Sequence, residues 1–307
     1  MLDYVRGRVV AAVPVLLGIS LLAFLMLYLL PGDPVLVMLG EASLTPEQVE
    51  TLRRQLGLDA PLPVQYVRYL GRMLVGDFGR SIRNQVPVID QMAEQLPSTL
   101  ELSVAGIVLA TAGGVFLGLV AATHHNRWMD TVSMVLALVG VSTPSFAVGL
   151  LLIFAFALNL GWFPATGQGG LLRLVLPAVT LGAFGMGIIA RLVRASMLEV
   201  LLADFVRTAR AKGLPRSAVL VRHALKNALI PVVTIVGLQF GRLLSGTVVV
   251  ETVFSRQGIG RLLVDSILGK DFPLVQGLVV LNAAIYVTVN LLVDISYALV
   301  DPRIRYG

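Results

Sequence analysis

The sequence predicts an all-α integral membrane protein with six transmembrane helices and with both termini in the cytoplasm. Three observations carry this prediction. Of the 307 residues, 56% are hydrophobic and 14% are charged, whereas soluble chains have about 25% charged residues. Six apolar stretches are each long enough to cross about 30 Å of hydrocarbon. Lysine and arginine gather in alternate connections between these stretches, as the positive-inside rule predicts.

The predicted spans take up most of the chain. They are Val9–Leu30, Ser98–Thr123, Thr131–Leu160, Leu174–Met197, Leu229–Val250 and Leu274–Val300. The first apolar stretch is longer than that of a secretory signal and has no small-residue cleavage pattern, so we expect it to be retained. Ser98-Thr99-Leu100-Glu101 has the pattern of a capping box, which predicts that the second span begins there. Twelve cations fall in segments assigned to the cytoplasm and four in the short external loops.

Small and helix-breaking residues mark two of the spans. In the second span, small residues recur every four positions at Gly106, Ala110, Gly114 and Gly118, which predicts close packing against another helix. In the third span, Pro144 removes a helical hydrogen bond and predicts a kink or a break. Broken helices often mark transport sites in membrane proteins, although many membrane prolines only bend a helix.

Residues 31–97 predict a small helical extracytoplasmic subdomain between the first two spans. The segment has eight acids and six arginines, so it lacks the basic excess of an internal loop. Short helices are expected over Thr45–Leu56 and Pro63–Val75, followed by a turn at Gly76–Gly79. The subdomain either packs over the mouth of the helix bundle or contacts an external partner. The resulting division is 1–30 for the N-terminal segment and first span, 31–97 for the insert, 98–300 for the transmembrane domain and 301–307 for a cytoplasmic tail.

The most basic segment, Ala203–Pro231, connects the fourth and fifth spans. It holds six lysines or arginines against one acid, Asp204. Gly213 fits the left-handed position after a helix end, and Pro215 fits the first turn of a following helix. A basic pair of short helices between two spans should face the cytoplasm and dock on a partner. A simpler interpretation, in which the cations only set the topology, leaves the Gly213 and Pro215 pattern unexplained.

The sequence contains none of the common catalytic patterns. It has no cysteine and only three histidines, the adjacent His124 and His125 and the distant His223. It has no phosphate-binding loop, since Asp271 follows the only Gly-Lys pair, Gly269-Lys270. We therefore expect no metal site, no cofactor in this chain and no enzymatic activity of the chain alone. A nucleic-acid partner is not expected, because a short loop tethered to the bilayer at both ends could hardly enter a DNA groove. Energy for transport would come from a partner or from an ion gradient.

Polar residues inside the predicted spans are candidates for a translocation pathway. They are Pro144, Gln239, Arg242, Asn282, Asn290 and Asp294. An arginine near the centre of a span costs about 2.5–3.5 kcal/mol on insertion scales. Arg242 should therefore pair, line water or face another subunit, and Asp294 and Glu101 are its first candidate partners within the chain. Arg191 and Arg194, near the inner end of the fourth span, are expected to extend to the lipid headgroups.

The basic segment resembles the cytoplasmic coupling motif of ABC importer permeases. The resemblance lies in Arg207-Thr208-Ala209-Arg210-Ala211-Lys212-Gly213 and in His223 to Pro231. Further matches cover nearly the whole chain: Pro31-Gly32-Asp33-Pro34, Gly76-Asp77-Phe78-Gly79, Val250-Glu251-Thr252-Val253-Phe254, Asp271-Phe272-Pro273 and Asp301-Pro302-Arg303. The general importer pattern has Glu-Ala-Ala where this chain has Arg207-Thr208-Ala209. This departure is similar to the peptide/nickel branch, which contains the dipeptide and oligopeptide permease "B" subunits.

The resemblance implies a type I ABC importer transmembrane fold and a permease that forms half of a pathway for di- or oligopeptides, or for nickel and related solutes. It implies a second, "C"-type permease subunit, two ABC ATPase subunits that bind ATP and magnesium, and an extracytoplasmic solute-binding protein. The membrane would be the bacterial or archaeal plasma membrane. An ion-coupled secondary transporter or channel is the alternative, but it predicts internal repeats and more intramembrane carboxylates than this chain has.

The resemblance also implies which residues couple the permease to the ATPases. They lie in the cytoplasmic loop 198–228 and are Arg207, Thr208, Ala209, Arg210, Ala211, Lys212, Gly213, Leu214, Pro215, His223, Lys226 and Asn227. Leu201, Phe205 and Ala209 are expected to pack the first short helix on the bundle. The sequence does not select among a dipeptide, a longer peptide, a nickel complex, glutathione and an oligosaccharide.

Overall fold

A computed structural model describes residues 2–29, 47, 50, 53 and 58–300. These residues form helices and no strand. The helices are α1 (Leu2–Leu29), α2 (Leu62–Leu74), α3 (Val88–Thr123), α4 (Trp128–Ser142), α5 (Ser145–Asn159), α6 (Leu171–Leu201), α7 (Asp204–Ala211), α8 (Arg216–Ala228), α9 (Ile230–Val253), α10 (Ile259–Leu268) and α11 (Phe272–Val300). Part of α5, Ile153–Asn159, and part of α8, Val219–Leu225, are π-helical.

The described helices are long and apolar enough for a protein that crosses the membrane several times. By length and composition, α1, α3, α6 and α11 each qualify as a span. Two further pairs qualify when taken together: α4 with α5, bent by 116°, and α8 with α9, bent by 52°. The count is therefore four, or up to six if each bent pair is one span. This range includes the predicted six.

Prolines stand at both bends. Pro144 precedes α5 with φ −57° and ψ 141°, which is outside the helical region, so the predicted interruption of the third span is a break. Pro231 lies in the first turn of α9, where its missing N–H leaves no helical bond unmade. Helix α9 thus begins within one residue of the start of the predicted fifth span, Leu229–Val250.

The helix of the second predicted span begins earlier than its capping-box pattern predicts. Helix α3 begins at Val88, ten residues before Ser98, and continues through Pro97. The side chains that would form a capping box at Ser98 bond elsewhere. The Ser98 hydroxyl donates to the Gln257 carbonyl oxygen at 2.5 Å, and Thr99 donates to a carboxylate far along the chain. Tertiary partners have therefore replaced the local cap.

The chain divides into two compact units, and the division falls at Pro97. Unit one comprises residues 1–97 and 258–307. Its core contains side chains from α3, α10 and α11: Val88, Met92, Ile259, Leu274 and Leu278. Helix α2 confirms the prediction for Pro63–Val75, and Gly76 and Gly79, with φ near +80°, form the predicted turn. The helix predicted over Thr45–Leu56 lies almost entirely outside the described residues.

The loop that follows one sequence motif of unit one contacts the motif that begins at Asp271. The buried carboxylate of Asp271 accepts hydrogen bonds from the Ser81 hydroxyl and, at 3.2 Å, from the Ile82 backbone N–H. This carboxylate holds the loop that follows Gly79 against the start of α11. A buried carboxylate that accepts both side-chain and backbone bonds satisfies its own acceptors and fixes the loop that donates to it.

Unit two, Ser98–Gln257, is built around α6. The glycines predicted to form a seam on α3 lie directly against it. A Cβ at Gly114 would lie 2.7 Å from the Ile189 side chain, and one at Gly118 would lie 2.6 Å from the Ala190 carbonyl oxygen. A Cβ at Gly182 of α6 would likewise lie 2.6 Å from the Gly106 carbonyl oxygen of α3. Small residues on both helices therefore allow the two backbones to touch.

Candidate functional site

Helices α7 and α8 form a helical hairpin at the basic segment. Val206 and Ala209 of α7 are buried against Val219 of α8, with Val200 of α6 beside them. Together they form a small apolar core of their own. The hairpin is therefore a packed structural element in unit two, not an extended loop.

Gly213 determines the geometry of the turn between the two helices. Its φ is +75°, the left-handed conformation that the sequence predicts. Its N–H donates to the Arg210 carbonyl oxygen at 3.0 Å, and the Leu214 N–H donates to the Ala209 carbonyl oxygen at 3.4 Å. No atom lies within 4 Å of the place that a Cβ would take. Glycine is therefore favoured here by the backbone conformation and not by a lack of space.

The outer face of the hairpin is basic and exposed. Arg207, Arg210, Lys212 and Arg216 are all exposed, as are Thr208, Ala211, Leu214 and Pro215. Asp204 lies 3.6 Å from Arg207, but both side chains are largely in solvent, so this pair contributes little to stability. The face therefore offers uncompensated positive charge around a rigid turn.

Two expectations for this hairpin need correction. Phe205 was expected to pack on the bundle, but 45% of its surface is exposed and Val206 takes the buried position. Ala209 is buried at 6% exposure, as its packing role predicts, so its side chain cannot also contact a partner. The hydrophobic face of α7 is displaced by one residue, because Val206 and Ala209 lie three apart on one side of the helix.

The second part of the predicted coupling set lies on α8. Lys226 and Asn227 are exposed, and His223 is partly buried. The Asn227 side chain donates to the His223 carbonyl oxygen at 2.7 Å, one turn earlier. Asn227 therefore supports the helix locally, and Lys226 is the better placed of the two for an external contact.

Two of the predicted pathway residues line one cavity in unit two. Pro144, at the break between α4 and α5, and Arg242, on α9, both border a cavity of about 410 Å³. Gln239, one turn before Arg242, is buried, and its side-chain N–H₂ has no hydrogen-bond partner among the described residues. The structure thus groups these unit-two residues on α9 and at the helix break, while their role in translocation stays a prediction.

The remaining pathway candidates lie in unit one on α11. Asn282 is half-buried and donates to the Leu278 carbonyl oxygen at 3.0 Å, so its amide is used within its own helix. Asn290 is half-buried. The side chain of Asp294 lies outside the described part of the structure, so its suggested pairing with Arg242 has no geometry to support it.

The other suggested partner of Arg242 is engaged elsewhere. Glu101 of α3 pairs with Arg256, whose Nη2 donates to the carboxylate at 3.0 Å. Arg256 is 1% exposed and Glu251 is fully buried. The Thr99 hydroxyl donates to Glu251 at 2.7 Å. The motif around Glu251 therefore joins the end of α9 to α3, and we correct the expectation that Glu101 pairs with Arg242.

A buried ion pair that the sequence did not reveal lies between α4 and α6. Arg194 donates from Nε to one oxygen of Asp130 at 2.7 Å and from Nη2 to the other at 2.8 Å. Asp130 is 4% exposed, and the ring of His125 lies 3.2 Å from the Arg194 guanidinium. Arg194 is therefore a structural partner of Asp130, whereas the sequence predicted that it extends to lipid headgroups.

Comparison with known families identifies the chain. The profile described as "Binding-protein-dependent transport system inner membrane component" matches residues 114–306. A second profile, for the N-terminal part of such membrane components, matches residues 1–103. The chain belongs to the family of binding-protein-dependent transport system inner membrane components. It is thus a permease component of an ABC importer, as the resemblance of its basic segment indicated.

Characterised relatives agree with this assignment over their full length. The permease is 44% identical over 306 residues to the glutathione transport system permease proteins GsiC of Escherichia coli (strain K12) and Salmonella typhi, and each comparison covers 100% of both chains. The predicted family is confirmed by these matches. Permeases of this family are membrane subunits and not the catalytic subunits of their transporters.

A solved structure supports the fold. The permease resembles a chain described as an amino acid ABC transporter with histidines, with a TM-score of 0.53 and 16% identity, over 67% of this permease and 92% of that chain. At this identity the likeness concerns the arrangement of the helices alone. The predicted multi-span helical fold of the type I ABC permeases is confirmed, and the permease is a multi-pass membrane protein.

Proposed function

We propose that this permease imports short peptides, with glutathione the first substrate to test, and that its hairpin α7–α8 docks on a cytoplasmic ATPase subunit. The observation that carries the proposal is the exposed basic face from Arg207 to Pro215 around the Gly213 turn. Because the permease has no phosphate-binding loop, the free energy of ATP hydrolysis must reach it through a contact with another subunit. Two relatives named as glutathione permeases, each 44% identical, support the choice of substrate.

The proposed complex has five subunits. This permease and a related second permease form the pathway, two ATPase subunits bind ATP and magnesium, and a solute-binding protein delivers the peptide from outside. The termini and the hairpin lie in the cytoplasm, and the insert 31–97 lies outside the plasma membrane of a bacterium or archaeon. The excess of cations in the internal segments supports this orientation.

The hairpin can transmit force because it has a packed core and is joined to predicted spans on both sides. It follows α6 and precedes α9, so a displacement of its turn acts on two helices of unit two. The ATPases can drive the conformational change only if they bind the hairpin more tightly in one state of the permease than in the other. Closure of the ATPases on ATP would supply that difference.

The decisive experiment compares Gly213→Asp with the wild type in a reconstituted complex. An acidic side chain at the turn reduces the positive charge of the docking face and strains the left-handed backbone. We expect peptide uptake per ATP hydrolysed to fall about tenfold or more, as for a central interface residue. Gly71→Asp, the same change at an exposed glycine of α2 with no neighbour within 4 Å, is the matched control and should couple normally.

Two results would contradict the proposal. One is that the purified permease imports peptide when no ATPase subunit is bound to it. The other is that the Gly213→Asp and Gly71→Asp variants take up the same amount of peptide per ATP hydrolysed. Co-purification of the subunits, measured for each variant, separates a loss of docking from a loss of folding.

A further inference from the structure

One cavity of unit two joins the helix break of the third predicted span to the arginine of the fifth. Its volume is about 410 Å³, and its wall includes Ser142, Thr143, Pro144 and Ser145 together with Arg242. Small-molecule sites in proteins are clefts of about 300–1,000 Å³ in which a few polar groups interrupt an apolar wall. The remaining wall has this apolar character, with Val141, Val148, Leu181 and Phe184.

The cavity has one positive charge and no negative one. Arg242 is the charged residue of its lining, which includes neither aspartate nor glutamate. Two carboxylates of this unit pair with other arginines, Glu101 with Arg256 and Asp130 with Arg194. A guanidinium group offers five N–H donors in a planar fork, which matches a carboxylate better than any other common anionic group except phosphate.

Arg242 lies at an unusual position for a charged residue. It lies near the middle of α9, Ile230–Val253, in a span that is otherwise almost free of charge. Ionised residues inside membrane segments are rare, face the protein interior or water, and mark substrate pathways when they persist. Arg242 is exposed, and the described lining of the cavity supplies no counter-charge to it, so its guanidinium group is open to another molecule.

We propose that the counter-charge is the C-terminal carboxylate of the transported peptide, which Arg242 binds during passage. The inference rests on the proposed import of short peptides. Every unmodified peptide has such a carboxylate, so one arginine can serve substrates whose side chains differ. The hydroxyl groups of Ser142, Thr143 and Ser145 can bind the peptide backbone, and the apolar wall accepts varied side chains. Arg242 is then a residue that determines specificity for a terminal carboxylate.

The test measures selectivity in proteoliposomes that contain the whole complex. Uptake of glutathione and of trialanine is compared with uptake of the analogues in which the C-terminal carboxylate is an amide. The acid-to-amide ratio is measured for the wild type, for Arg242→Gln and for Arg242→Lys. Any preference of the solute-binding protein is the same for all three permeases, so it cancels when the ratios are compared.

Loss of a charge-assisted bond to the carboxylate should lower the acid-to-amide ratio of Arg242→Gln about tenfold to a hundredfold. Arg242→Lys should keep part of the selectivity, because it keeps the charge but not the planar fork. Arg173→Gln removes an arginine of the same unit that does not line the cavity, and it should keep the wild-type ratio.

The outcomes separate this inference from the proposed function. If the wild type imports peptide and Arg242→Gln has the same acid-to-amide ratio, carboxylate recognition by Arg242 is excluded. If Arg242→Gln lowers the uptake of acid and of amide by the same factor, carboxylate recognition is excluded as well. That result would assign Arg242 to pairing with a neighbouring subunit. If the wild-type complex hydrolyses ATP and imports neither peptide nor amide, the proposed function itself is wrong.

Discussion

Arg194 and Arg191 lie one turn apart on α6, yet their surroundings differ completely. Arg194 makes two charge-assisted hydrogen bonds to the buried carboxylate of Asp130, whereas Arg191 is exposed. Removing one partner of a buried ion pair leaves an uncompensated charge in a poorly solvated place. The same chemical substitution at the two arginines therefore separates the effect of the ion pair from the effect of net charge.

We predict that Arg194→Gln lowers the free energy of unfolding by about 3 kcal/mol, the lower end of the range for breaking a buried ion pair, because Arg194 itself is partly exposed. For a chain of this size the melting temperature in detergent should fall by roughly 5 °C. Arg191→Gln should leave it nearly unchanged. Equal melting temperatures for the two variants would show that the Asp130 pair does not stabilise the fold, and the exchange Asp130→Arg with Arg194→Asp should recover part of any loss.

At the scale of elements, the close contact between α3 and α6 depends on glycines, which have no Cβ to keep the two backbones apart. Gly118 faces the Ala190 carbonyl oxygen and the Val193 side chain so closely that a methyl group there would lie 2.6 Å from each. Backbone cannot move aside as a flexible side chain can. The two helices must then separate or tilt if any side chain is added at this position.

We predict that Gly118→Ala destabilises the permease by about 1–3 kcal/mol, the usual cost of overpacking a filled interior. Gly18→Ala on α1 is the control, because no atom lies within 4 Å of its Cβ position. The control should be neutral or slightly stabilising, since alanine favours helix over glycine by up to about 1 kcal/mol. Thermal unfolding of the two variants in the same detergent gives the comparison, and a stabilising Gly118→Ala would refute the close contact.

Local signals predicted some elements well and others poorly. Prolines and glycines predicted the start of α9, the turn at Gly213 and the break at Pro144, because each acts on its own backbone. The start of α3 was mispredicted, because Ser98 bonds to Gln257, 159 positions away in the sequence. The pair of Asp130 and Arg194 was missed for the same reason, since no sequence pattern connects residues 64 positions apart.

At the scale of the whole molecule, composition and charge asymmetry predicted a multi-span helical membrane protein, and the family confirms it. The candidate site could be predicted from the sequence only in part. Gly213 could be predicted because it is a local backbone requirement. Pro144 and Arg242 could be selected as anomalies within apolar spans, but their common cavity follows only from the packing of α4, α5, α6 and α9.

The source of energy is a property of the entire complex. We predict that uptake into proteoliposomes requires ATP on the side of the ATPases and persists when a protonophore and an ionophore remove the ion gradients. The described spans offer few carboxylates for an ion relay, which is the physical reason for this expectation. Uptake that follows an imposed gradient without ATP would instead favour an ion-coupled secondary transporter.

The bonds that tie Ser98, Thr99 and Glu101 to the segment from Glu251 to Gln257 also set an order of events during biosynthesis. Their partners are 152 to 159 residues apart in the chain. A ribosome adds about 5–20 residues per second, so Glu101 waits roughly 8–30 s for Arg256 to be made. During that time Glu101 lacks the arginine with which it pairs in the folded protein. The last third of the polypeptide thus supplies hydrogen-bond partners to the helix of the second predicted span.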